Sequence, residues 1–130
     1  MTLQIIPDTN FLLYAAKYKI DLEAALNSLL TQKFEIILLD IVREELVKHA
    51  MAPGLKKHEA SLALKILVHL ERRGVACEIK TPEGAKNADQ ALIKLDSKDN
   101  IIATMDQRLK TKLKHSRILS IRQKTHLQFI

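Results

Sequence analysis

The 130 residues include one cysteine, no tryptophan, three glycines and three prolines, and only 4% are aromatic. A lone cysteine has no internal disulfide partner, which excludes the stapled frameworks of small secreted domains and points to a reducing compartment. Nor can it begin a zinc finger, and His49, His58, His69, His115 and His126 lack zinc-ligand spacing. No stretch approaches the roughly eighteen apolar residues that a membrane span needs. Met1-Thr2-Leu3-Gln4-Ile5-Ile6-Pro7-Asp8 has no basic lead and meets an acid at once, so it does not read as a signal peptide. These absences point to the cytoplasm. So few aromatics make base stacking a poor main source of nucleic-acid affinity. Phe11, Tyr14, Tyr18 and Phe34 are expected in the core, and Cys77 as a buried, inert thiol.

The last absence is of acid at one end. Residues 1–106 carry 14 Lys/Arg against 15 Asp/Glu. Residues 107–130 carry Arg108, Lys110, Lys112, Lys114, Arg117, Arg122 and Lys124 and no acid. The whole net charge of +6 is therefore C-terminal. Such asymmetry suits a polyanion partner, because neutralised phosphates release counterions. A solvated helix face would look the same.

What remains is a globular composition, 47% apolar and 28% charged, enough for one domain spanning 1–130. Leu3-Gln4-Ile5-Ile6 reads as a strand, Phe11 to Lys19 as a helix, and Asp21 as the cap of a second helix reaching Thr31. Glu35 to Asp40 is a continuous apolar run of the kind buried on both faces of a parallel sheet. Asp40 is expected to cap a helix reaching His49. Met51-Ala52-Pro53-Gly54 breaks the chain, and Leu62, Ile66 and Leu70 mark a long helix from Lys57 to Arg73. Ala76 to Ile79 is a strand candidate, and Asn87 caps a helix reaching Asp96. Asn100 to Thr104 is a strand, Gln107 to His115 a basic helix, Ile118 to Ile121 a last strand, and Leu127 to Ile130 a tail. Asp96 and Asp99 read as exposed loop residues. This alternation predicts an α/β/α three-layer fold around a mostly parallel sheet of about four to five strands.

Sites in such sheets form at the carboxyl ends of the strands. Asp8 follows the first strand, Glu45 lies on the helix after the second, Asp89 opens a helix, and Asp106 follows the strand at 100–104. Each acid alone is as readily a strand end or a helix cap. Four together repel one another, and a cation makes the cluster tolerable. Oxygen ligands of this kind suit Mg²⁺ or Mn²⁺. Two such ions about 3.5–4 Å apart clamp the attacking and leaving oxygens of a phosphoryl displacement.

Four segments also carry a family resemblance. Ile6-Pro7-Asp8-Thr9-Asn10-Phe11-Leu12-Leu13 resembles the opening motif of PIN-domain nucleases. Leu39-Asp40-Ile41-Val42-Arg43-Glu44-Glu45-Leu46 resembles the second, whose acid precedes Leu; this places the family glutamate on Glu45, with Glu44 as the alternative one residue away. Asn87-Ala88-Asp89-Gln90-Ala91-Leu92-Ile93 resembles the third, and Ile102-Ala103-Thr104-Met105-Asp106-Gln107-Arg108-Leu109 the fourth. They stand in family order and span nearly the whole chain. The resemblance implies a Mg²⁺- or Mn²⁺-dependent, single-strand-directed ribonuclease, often a homodimer. Gly84 to Ile93, Asp106-Gln107-Arg108-Leu109-Lys110 and the closing Ile121-Arg122-Gln123-Lys124 look closer to archaeal relatives of the small-subunit processome nuclease than to typical VapC toxins, which implies ribosomal-RNA processing. A toxin with an antitoxin partner, a ribosome-assembly partner and a non-catalytic RNA scaffold remain as alternatives. In the motif context Thr9, Asn10 and Thr104 are candidates for orienting the carboxylates. The seven C-terminal bases are candidates for phosphate contacts. A dehalogenase-type phosphatase usually wants a second Asp at position 10, where Asn stands. A receiver domain wants its acceptor Asp after the middle strand, which 77–80 does not supply.

Overall fold

The computed structural model describes residues 2–130, with strands β1 (Leu3–Pro7), β2 (Phe34–Leu39), β3 (Ala76–Ile79), β4 (Asn100–Ala103), β5 (Arg117–Arg122) and β6 (His126–Phe129). The helices are α1 (Thr9–Lys17), α2 (Leu22–Leu29), α3 (Asp40–Met51), α4 (Lys57–Arg72), α5 (Ala88–Lys94) and α6 (Gln107–Lys112). One sheet runs in the order β3-β2-β1-β4-β5-β6, parallel throughout except for β6. The apolar runs of β2 and β4 are buried as expected, Ile36 to Leu39 and Ile101 to Ala103 being almost wholly hidden. From β1 the chain steps through β2 to β3, then returns to β4 on the other side of β1. Right-handed crossovers put α1 to α4 on one face and α5 and α6 on the other. The reversal opens a crevice between the carboxyl ends of β1 and β4, where α/β proteins build their sites.

Six strands exceed the expected four to five, because Leu127 to Ile130 is not a loose tail. His126–Phe129 pairs antiparallel with β5, joining Leu119 to Phe129 and Arg122 to His126. Its hairpin turn holds Gln123 and Lys124 at φ 54° and 65°, the left-handed pair that hairpins favour. Neither residue is the glycine or asparagine that usually announces such a turn, so the pattern hid it.

Other local readings also change. Asp40 is the first residue of α3 rather than its cap, and Leu39 stands at the cap position without a side-chain bond. The Asp40 carboxylate instead accepts from the Thr81 N–H at 2.9 Å and from the Thr81 hydroxyl, tying the start of α3 to the loop after β3. Helix α6 stops at Lys112, short of His115, because the next N–H groups have a better acceptor. Asp96 receives those of Lys114 and Ser116 at 2.7 and 2.8 Å and that of His115 at 3.2 Å. Half-buried Asp96 is thus a loop brace rather than a solvated acid. Its burial raises its pKa, but the Ser116 hydroxyl and these N–H groups outweigh that and bring it to about 2. Phe11 is in the core, whereas Tyr14, Tyr18 and Phe34 are only partly buried. Cys77 is half-buried, and burial with Glu35 nearby raises its thiol pKa, as an inert thiol requires. No helix among the described residues is long and apolar enough to cross a membrane.

Candidate active site

Asp8 leaves β1 at the crevice and caps α1, its carboxylate accepting from the Phe11 N–H at 2.7 Å and from the Thr104 hydroxyl. Thr104 leaves β4 beside it and receives the Asp106 N–H at 3.0 Å. Asp106 in turn caps α6, accepting from Arg108 N–H at 2.8 Å and Leu109 N–H at 3.3 Å. Two neighbouring strand ends and two helix starts thus hold Asp8, Thr104 and Asp106 in one bonded chain. Glu45, on the second turn of α3, accepts from the Thr9 hydroxyl. Asp89 lies in the first turn of α5, which Asn87 caps.

These side chains share a cleft of about 510 Å³, whose walls include Asp8, Thr9, Asn10, Glu45, Asp89 and Asp106. The four sequence-predicted acids are therefore brought together. Glu44, the alternative to Glu45, is exposed and off the cleft. Thr9 and Thr104 hold Glu45 and Asp8, while Asn10 is exposed on the rim.

Asp8 is only 4% exposed. Burial lifts its pKa, the bonds from Thr104 and Phe11 lower it, and the charges of Asp89 and Asp106 lift it again, for a value of about 6. A carboxylate held this way gains from a nearby positive charge. Among the described residues, no three acids or histidines close into a ready cage for an ion. The acids line the walls of an open cleft instead of meeting at a point. That suits Mg²⁺ or Mn²⁺, which commonly take one or two carboxylates and fill the remaining positions with water and phosphate oxygen. The all-oxygen donor set fits such ions, not softer metals.

Basic side chains line the cleft as well: Lys48, His49 and Lys56. The sequence reading passed over all three. Lys48 and His49 stand three and four residues beyond Glu45 and so share its helix face, a signal that was available. None of the seven C-terminal bases is on the wall. Lys110 comes near it: burial and Arg122 lower its pKa, while Asp8 and Asp106 act in the opposite direction. Arg117 begins β5, at the sheet edge away from the site, with its guanidinium 3.8 Å from the Phe129 ring. Lys114 lies in the loop braced by Asp96. Lys124 Nζ sits 5.4 Å from the Tyr18 ring. Arg108 and Lys112 are exposed at either end of α6. The seven therefore do not form a single surface.

The sequence profile of the PIN-like domain matches residues 5–124. This chain belongs to the PIN-like family. Within it, the chain is 33% identical over 129 residues to Ribonuclease VapC4 of Methanocaldococcus jannaschii, covering 96% of this chain and 95% of that protein. Two solved structures share the fold. The PIN domain endonuclease Utp24 superposes with a TM-score of 0.76 at 24% identity, over 97% of this chain and 90% of the other. VapBC2 from Rickettsia felis, bound to a DNA fragment from its promoter, superposes at 0.62 and 14% identity, over 92% and 100%. The PIN-like fold accounts for the sheet order and for the cleft at the β1–β4 crevice.

Proposed function

We propose that the protein is a divalent-metal-dependent ribonuclease that hydrolyses RNA phosphodiester bonds in this cleft. One observation carries the reading: acids from four separate chain segments share a cleft with Lys48, His49 and Lys56. Acids alone would repel RNA. Acids and bases sharing one cleft accept a cation and a phosphate together. The name of the M. jannaschii relative points the same way.

Asp8, Asp89 and Asp106 would hold Mg²⁺ or Mn²⁺, with Glu45 contributing from α3. When bound, such an ion polarises the phosphate and makes water a nucleophile near neutral pH. The chain's own residues supply the positioning. Thr104 and the Phe11 N–H fix both oxygens of Asp8, so its carboxylate does not need reordering when the ion arrives. Thr9 holds one oxygen of Glu45. Lys48 neutralises the substrate's phosphate and so holds the strand against the acids.

The test is digestion of a fluorescently labelled single-stranded RNA with and without EDTA. Cleavage restored by Mg²⁺ or Mn²⁺, and lost in Asp8→Asn and Asp106→Asn, upholds the proposal. Undiminished cleavage by both variants refutes it. A VapC-type toxin, held inactive by an antitoxin, is favoured by the 33% identical relative. Growth arrest on induction, relieved by the product of an adjacent gene, separates that role from ribosomal-RNA processing in the cytoplasm. The same purifications, run by sedimentation velocity, check for the homodimer.

A further inference from the structure

A second hollow adjoins the acidic cleft where α3 gives way to α4. It holds about 300 Å³, and His49, Pro53, Leu55, Lys56 and Lys57 are on its walls. His49 and Lys56 line both hollows, so the two meet across that pair of side chains. The acids end there. No carboxylate lines the second hollow, while Lys56 and Lys57 stand side by side on it. Gly54 turns the elbow at φ 149°, which other residues rarely adopt, and leaves part of the floor as bare backbone. Leu55 at the tip is 97% exposed and nearby Met51 is 79% exposed, an apolar point amid bases.

Charge and continuity indicate the occupant. A strand whose phosphate lies among the acids must continue out of the cleft. At His49 and Lys56 it can continue into the second hollow, whose walls carry no carboxylate. The geometry points to the α3–α4 elbow as a binding track for single-stranded RNA. Lys56 and Lys57 contact phosphates beside the scissile bond, and Pro53 and Leu55 form a shelf for an adjoining base. Unpaired RNA suits this arrangement because its bases can be splayed onto apolar side chains. Phosphate contacts here position the strand without reading its sequence. The inference rests on the nuclease reading of the acidic cleft, and it adds flanking contacts outside the C-terminal basic segment.

The experiment compares a twelve-nucleotide RNA with a four-nucleotide RNA containing the same cleaved step. Wild type is set beside Lys56→Ala/Lys57→Ala and Leu55→Ser, with thermal melts confirming that the variants are folded. The ratio of kcat/KM for the long RNA to that for the short one falls about tenfold in the lysine pair. Losing two phosphate contacts from single-stranded RNA also reduces the salt slope of twelve-mer binding by about 1.4. Equal losses on both RNAs, or no loss on either, overturn the proposal. So does a dimer in sedimentation velocity that Leu55→Ser dissociates, since the elbow is then an interface between copies. If wild type cuts neither RNA, the nuclease reading fails by itself and fluorescence anisotropy with the twelve-mer decides the track. Binding weakened fivefold or more in the lysine pair upholds it, and unchanged binding overturns it.

Discussion

Asparagine at position 8 keeps an oxygen to accept the Phe11 N–H and removes a buried negative charge. The rise of the Asp8 pKa from 3.8 to about 6 sets the scale. At about 1.4 kcal/mol per pKa unit, the ionised group costs the metal-free folded state about 3 kcal/mol at neutral pH. With its oxygen kept on the Phe11 N–H, the amide turns its NH2 toward Thr104 and donates to that hydroxyl instead of accepting from it. Losing the charge-assisted bond reduces the gain, leaving Asp8→Asn about 2 kcal/mol more stable than wild type in EDTA at pH 7.5. The direction with pH follows from proton binding. Unfolded Asp8 loses its proton near 3.8 and folded Asp8 near 6, so the folded state holds more protons between those values. Wild-type stability from this group is therefore full below pH 4, falls as pH rises through 6, and stays low above it. The variant lacks that fall. Urea unfolding in EDTA at pH 4 and pH 7.5 measures both, and the advantage of the variant should nearly vanish at pH 4. Saturating Mn²⁺ should then stabilise wild type and leave the variant behind. A variant less stable than wild type at pH 7.5 without metal, or an advantage independent of pH, refutes the account of Asp8 as a strained charge.

The two ends of β5 should behave differently toward RNA. Lys110→Ala/Arg122→Ala weakens single-stranded RNA binding and flattens its salt dependence, because these bases lie on the acid side of the sheet. Arg117→Ala, at the opposite edge, has the smaller effect in the same anisotropy titration. Asp96→Ala frees three backbone N–H groups and costs about 2 kcal/mol at pH 7. With a folded pKa of about 2 against 3.8, the contribution of Asp96 is present above pH 4 and fades as pH falls through 2. Chemical denaturation of both proteins across pH 2–7 checks this, and a constant difference would refute it.

Asp8 and Asp106 were legible because a residue just past a parallel strand has only one edge to occupy, and the apolar runs identified those strands. Glu45 needed its motif, in which the acid precedes Leu, and the fold puts Glu45 on the cleft and Glu44 off it. Lys48 and His49 were within reach of helical spacing from Glu45. Lys56 was not, since its position depends on how the elbow after Met51 folds. Asp40 looked like a cap because most acids before a helix are caps. A partner 41 residues away, Thr81, overrides that local preference. The seven C-terminal bases looked like one feature because they are contiguous in sequence. They belong to a short helix, a braced loop and a hairpin that face different ways.

The bonded run of Asp8, Thr104 and Asp106 joins position 8 to position 106 of a 130-residue chain. Thr104 is itself anchored by its N–H to the Leu119 carbonyl at 3.0 Å. During synthesis, then, the chain must emerge past Leu119 before these carboxylates are held together. A nascent chain that has emerged only to residue 100 has no assembled acidic centre, because Thr104, Asp106 and the Leu119 carbonyl are still to come.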